Sequence, residues 1–144
     1  PNILVAEQVA IGASGSGSGP YVNAGLMAEV ANKSQDTYKF SIQTTGGYKD
    51  NLGLVLTDKV DIALNTLIGI YDAYKQNGSY GTSPMKEDFK KLRYLFTFGA
   101  VPQNIFVRAD SGITSLQEIK GKPFNINKPS SFTHGMNKKM QKKL

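Results

Sequence analysis

At 144 residues, 40% of them hydrophobic and 19% charged, the chain suits one globular domain with a real core and excludes an intrinsically disordered protein. The absence of cysteine excludes a disulfide framework and a thiolate metal site. The net charge of +6 is unevenly placed: residues 1–118 carry ten Lys/Arg against eleven Asp/Glu, and residues 119–144 carry seven lysines and no acid.

The first residues, PNILVAEQVAIG, hold no basic residue ahead of a short apolar run and do not read as a signal peptide. No apolar run reaches the roughly 20 residues that a membrane span needs. Val9 to Ala13 reads as a strand that ends in a Gly/Ser stretch, IGASGSGSGPY. Pro20 suits a first helical position, where its missing N–H costs nothing. Ala24, Met27, Ala28 and Ala31 then recur at helical spacing with Leu26 and Val30 beside them, which predicts a mostly buried helix. Tyr38 to Thr44 alternates as a half-buried strand does, Gly46-Gly47 breaks it, and Asp50 to Leu56 reads as a second helix. Val60 to Leu64 is a further strand and Leu67 to Lys75 a third helix.

Asn77 to Pro84 reads as a loop from its turn residues. Lys86 to Lys91 is expected as surface helix, and Leu92 to Val101 and Asn104 to Arg108 as strands parted by Pro102. Ser115 to Ile119 then gives a short helix and Phe124 to Asn127 another strand. Alternating strands and helices predict an α/β fold with a mostly parallel sheet flanked by helices. Ligands gather at the carboxyl ends of such strands. Small polar residues follow four of them, at the Gly/Ser stretch, at Thr44-Thr45-Gly46-Gly47, at Asn65-Thr66 and at Lys128 to Thr133.

The Gly/Ser stretch has two readings. Its composition suits a spacer, while its position between a strand and a helix suits a turn whose backbone N–H groups cradle an anion. A buried helix starting immediately afterwards favours the binding turn. It is not a P-loop, because the Gly-Lys-Ser/Thr ending is missing, and no acidic residue ends a second strand as a dinucleotide fingerprint requires.

Catalysis has little support. His134 is the only histidine and reads as solvated, and no serine is singled out as a nucleophile. Asp50, Asp61 and Asp72 lack a metal-ligand spacing, with Asp61 expected in strand-end structure. Tyr71 and Tyr74 are expected to pack in the core or at its rim. The lysine-rich end reads as a solvated tail; a nucleic-acid face would spread its basic residues among aromatics.

Several blocks, in order, resemble the TAXI-type solute receptors of TRAP transporters. Ile11 to Tyr21 resembles that family's I-G-T-G-G-T-G-G-T-Y-Y-P turn, and Thr44 to Leu52 its A-T-G-G-S-x-x-N-L. Val60-Asp61-Ile62-Ala63, Asn65-Thr66 and Tyr71-Asp72-Ala73-Tyr74 resemble its A-D strand, polar pair and Y-D-A-Y. Val107 to Lys122 resembles V-R-A-D-S-G-I-x-S-L-x-D-L-K-G-K. The resemblance implies a periplasmic-binding-protein-like (type II) fold, with lobe I over residues 1–108 and a hinge and incomplete start of lobe II over 109–144.

It also implies an extracytoplasmic receptor, not an enzyme and without cofactor or metal, that closes on a small organic acid or amino acid for membrane TRAP transporter subunits. The expected ligand-binding residues are Ser14, Gly15, Ser16, Gly17, Ser18, Gly19, Tyr21, Thr45, Gly46, Gly47, Asn65 and Thr66. Ser130, Ser131 and Thr133 join them, from the stretch that stands where the family has P-G-S-G-T. Hydroxyls and backbone N–H groups would there solvate a carboxylate without a fixed counter-charge. Ser18, Gly19, Pro20 and Phe132 depart from the pattern, which leaves the ligand's identity open. Family members run to about twice this length, so the expectation is a truncated chain with weak binding; the alternative is a secreted or surface interaction module.

Overall fold

In a computed structural model of the chain, the residues described are 6–99, 102, 104–129 and 131–144. Three strands, β1 (Glu7–Gly12), β2 (Tyr38–Gln43) and β3 (Ile62–Ala63), form a parallel sheet in the order β2-β1-β3. Their connections are helical: α1 (Gly19–Ser34) joins β1 to β2, α2 (Tyr48–Leu56) joins β2 to β3, and α3 (Leu67–Tyr74) follows β3. The register runs from Glu7 opposite Tyr38 to Gly12 opposite Gln43, whereas β3 meets β1 only at Ile11–Ile62 and Gly12–Ala63. The first crossover runs one way across the sheet and the second runs back, so right-handed connections place α1 and α2 on opposite faces. The gap between β1 and β3 is therefore the topological switch point.

The hydrophobic pattern divides in the same way. Ile11, Ala13, Ala24 and Ala28 are buried together, with Tyr21, Met27, Phe40, Ile42 and Leu64 packed around them. The small Ala24 and Ala28 let α1 lie close to the sheet. A second cluster joins Leu52 of α2, Ala73 of α3 and Phe89, bordered by Leu56, Ile70, Tyr80, Met85 and Leu92. Phe89 sits on a short 3₁₀ turn, Asp88–Lys91, where the sequence predicts a surface helix. The edge of Phe89 against Tyr80, with ring centroids 5.4 Å apart, closes this cluster.

Three expectations are corrected. Helix α1 is buried on one side only: Val22, Leu26 and Val30, spaced four apart, are more than half exposed. Tyr71 and Tyr74 are likewise exposed, not packed in core or rim. Among the described residues, 92–99, 104–108 and 124–127 lie outside any ladder, so the expected strands there do not form. A strand pattern supplies side chains for a sheet face but no partner edge, and here the backbone has none. Ala100 and Val101 of those spans lie outside the described residues.

The lysines of the final segment are exposed, as expected of a solvated end, and part of it is helical. Helix α4 (Phe132–Gln141) begins at Ser131, whose Oγ accepts from His134 N–H at 3.1 Å. Upstream, the Val107–Lys122 block is held by local bonds. Arg108 Nε donates to Asp110 Oδ1 at 2.8 Å, and Glu118 accepts the Thr114 and Ser115 N–H groups at 2.6 and 3.2 Å. The Thr114 N–H is the main reason the Glu118 carboxyl lies below its usual range. Asp61 belongs to strand-end structure, as expected: its Oδ2 accepts from Ala10 N–H at 2.7 Å.

Candidate functional site

The turn after β1 is bounded by covalent and capping logic already present in the chain. Ser18 is the N-cap of α1, its Oγ accepting from Tyr21 N–H at 3.3 Å, and Pro20 falls within the first turn. Gly17 has φ 76°, a left-handed conformation that glycine adopts without steric cost. The Gly/Ser stretch is thus an ordered strand-to-helix turn, with Ser14, Gly15, Ser16, Gly17 and Ser18 between the end of β1 and Gly19, the first residue of α1.

The turn after β2 lies beside it. Ala13 N–H donates to Gln43 O at 3.1 Å and Thr45 N–H to Ser14 O at 3.4 Å, which carries the β1–β2 pairing into both turns. Thr45 Oγ1 accepts from Gly47 N–H at 3.2 Å. Gly47 itself caps α2 with φ 125° and ψ −170°, a region open essentially to glycine alone.

The turn after β3 supplies Asn65 and Thr66. Thr66 Oγ1 accepts from Gly69 N–H at 3.0 Å and caps α3. Asn65 Nδ2 donates to Tyr48 O at 2.7 Å, and its Oδ1 accepts from Thr66 N–H at the same distance. A Cβ on Gly69 would lie 2.5 Å from Asn65 Oδ1 and 2.9 Å from Thr66 Oγ1, so glycine there lets the strand end lie on the helix start.

The deepest polar group is Asn51 of α2, with no exposed surface. Its Nδ2 donates to Ala13 O at 2.8 Å and Leu64 O at 2.7 Å, the carbonyls just before Ser14 and Asn65. The amide therefore fills the base of the β1–β3 switch point and joins three loops. Its Oδ1 has no donor among the described residues. Nearby, burial pushes the Tyr48 phenol up, so it stays neutral at ordinary pH.

The structure brings the first three predicted groups together at one end of the sheet, but spends several of their side chains on local bonds: Ser18 and Thr66 as helix caps, Thr45 and Asn65 within and between the turns. Ser14 and Ser16 make no side-chain hydrogen bond among the described residues. In the fourth group, Ser131 caps α4 and its Oγ donates to Lys128 O at 2.8 Å. Thr133 lies in the first turn of that helix, and Ser130 lies outside the described residues. His134 is held to the preceding turn, its Nδ1 2.8 Å from Asn127 O.

Sequence reasoning missed Asn51, Asp50 and Lys128 as site residues. Lys128 Nζ reaches the first turn, 3.9 Å from where a Cβ would stand on Gly15. A counter-charge therefore lies beside the turn, against the expectation of a carboxylate solvated without one. The signal in the sequence was the KPSSFT loop itself, whose lysine precedes its hydroxyls.

The turns form an open shelf. Two hollows lie elsewhere among the described residues, one of about 180 Å³ between Ile119 and Leu144 and one of about 360 Å³ lined by Ile105, Val107 and Leu116. Among the described residues no group of three His, Asp or Glu could hold a metal ion, and no helix is long and apolar enough to cross a membrane. Residues 11–144 match a family model described as the NMT1-like family. Neither a curated protein nor a solved structure matches the chain.

Proposed function

The chain belongs to the NMT1-like family, a periplasmic-binding-protein-like family of solute-binding proteins, and from that premise we propose that it is an extracytoplasmic receptor for a small carboxylate-bearing ligand. The ligand is an organic acid or amino acid, and the recipient is the membrane part of a TRAP-type transporter. Residues 1–108 act as lobe I and residues 109–144 as the hinge and start of lobe II.

The observation that carries this reading is the meeting of the β1, β2 and β3 end turns around the buried Asn51 amide. Three helix starts and their glycine turns stand at the same end of the sheet, a placement that suits an anion. The resemblance of the same turns to TAXI-type receptors supplies the transporter class. Binding, with no reaction, is the reading that the family's solute-binding character supports.

Closure over a ligand is what desolvates it in a two-lobed receptor, and an open shelf lacks that gain. Calorimetric titration with L-glutamate, L-glutamine and succinate is expected to give dissociation constants weaker than about 0.1 mM for this chain alone. A micromolar constant would refute the expectation of weak binding. Backbone amide shifts at Ser14–Gly19 and Thr45–Gly47 on adding ligand support the site; their absence with all three ligands defeats it.

A second reading, a secreted or surface interaction module, is favoured by the exposed apolar residues Tyr94, Leu95, Phe96 and Phe106 and by the lysines of α4. Retention by an acidic protein surface without any response to the three ligands would select it.

A further inference from the structure

Two charged groups from different parts of the chain stand over the bare glycines of the paired turns. Lys128 Nζ lies against Gly15, 3.9 Å from the position of a Cβ. Asp50 folds over Gly46, where a Cβ would collide with Oδ2 and stand 3.0 Å from Cγ. Neither group makes an ion pair among the described residues, with each other or with any other partner. Gly15 and Gly46 each follow one member of the Ser14–Thr45 backbone bond. A positive pole and a negative pole therefore flank one shelf, over the turns that follow two adjacent strands.

We propose that Lys128 and Asp50 are the specificity-determining residues of this shelf, Lys128 receiving the ligand's carboxylate and Asp50 its ammonium, so that a zwitterion is selected and a second carboxylate refused. This rests on the reading that the paired turns bind a solute. A first-turn acid is favourable for the dipole of α2, which accounts for an acid at position 50 but not for Lys128 standing over the neighbouring turn. Next to Asp50, the fully buried Asn51 amide ties the β1 end to the β3 end and lies out of a ligand's reach, so the exposed Asp50 carboxylate is the group that suits a ligand N–H. A dicarboxylate bound through Lys128 would set its second charge against Asp50, where like charges repel strongly at short range. Glycine at position 46 is what leaves room for the Asp50 side chain, whereas a Cβ at position 15 would stand in ordinary contact with Lys128.

The test is an NMR titration of the full chain with L-glutamine and succinate, read at the Ser14–Gly19 and Thr45–Gly47 amides. The unsubstituted protein is expected to prefer L-glutamine about tenfold, and D50N to abolish that preference by binding succinate more tightly, as removal of a repulsive element should. K128Q is expected to weaken both ligands about tenfold by removing the common counter-charge. Both substitutions are on exposed side chains, so the fold survives them. A preference unchanged in D50N, a preference for succinate in the unsubstituted chain, or full binding by K128Q overturns the proposal while the solute-binding reading stands. No response to either ligand overturns both.

Discussion

Asn51 places an amide where two strand ends would otherwise turn unpaired carbonyls toward each other, at Ala13 and Leu64. Removing it leaves two buried acceptors without donors and a small void, so Asn51→Ala is expected to cost about 2–4 kcal/mol of stability. Urea denaturation checks this, and a loss below about 0.5 kcal/mol would show that water takes over the amide's bonds. Asn51 was visible in the sequence only as part of a block resembling a family, because nothing local distinguishes a buried bridging asparagine from a solvated one. Lys128 and Asp50 were hidden for the same reason: their meaning comes from glycines 113 and 4 positions away. Ser14, Gly17 and Gly47 were legible, since a strand-to-helix turn needs small residues and positive φ at places set by neighbouring sequence.

At the level of elements, the α2 start depends on one backbone conformation. Gly47 adopts φ 125° as N-cap and offers no side-chain cap in return. Gly47→Ala is expected to lower stability by about 1–3 kcal/mol, the cost of forcing a Cβ into that region. A thermal melt should fall by several degrees, and an unchanged melting temperature would mean that α2 starts elsewhere. The bounds of β1, β2 and α1–α3 followed closely from periodicity and turn chemistry, which are local. The third strand was read as five residues and pairs over two, because ladder length is decided by a neighbour far along the chain. Residues 92–99 show the same limit from the other side. Their alternating aromatic pattern is as good as that of β2, and they lack an edge to join.

Across the whole molecule, protection is expected to be uneven. Amides of residues 8–12 and 39–43 lie in the six-pair ladder, while residues 93–99 and 104–107 donate no backbone bond to another element. Hydrogen exchange should therefore find slow amides in the first two strands and rapid exchange in the extended segments. Protection in 93–99 comparable to β2 would reveal a partner edge for that strand pattern. The α/β class and the sheet's direction were legible because they emerge from the order of elements; the burial of each face was not, as Leu26 at 57% exposure shows. The unequal ladders also bear on how the chain assembles. β1, α1 and β2 close a shorter loop and form six residue pairs, whereas β3 must return across the sheet for two. Loop-closure entropy therefore favours β1–α1–β2 forming before β3 joins, and it also leaves the ribosome ahead of β3. The bridged Ser14 and Thr45 turns would then exist as a nascent pair before the third strand arrives, with Asn51 acting as the latch that admits it.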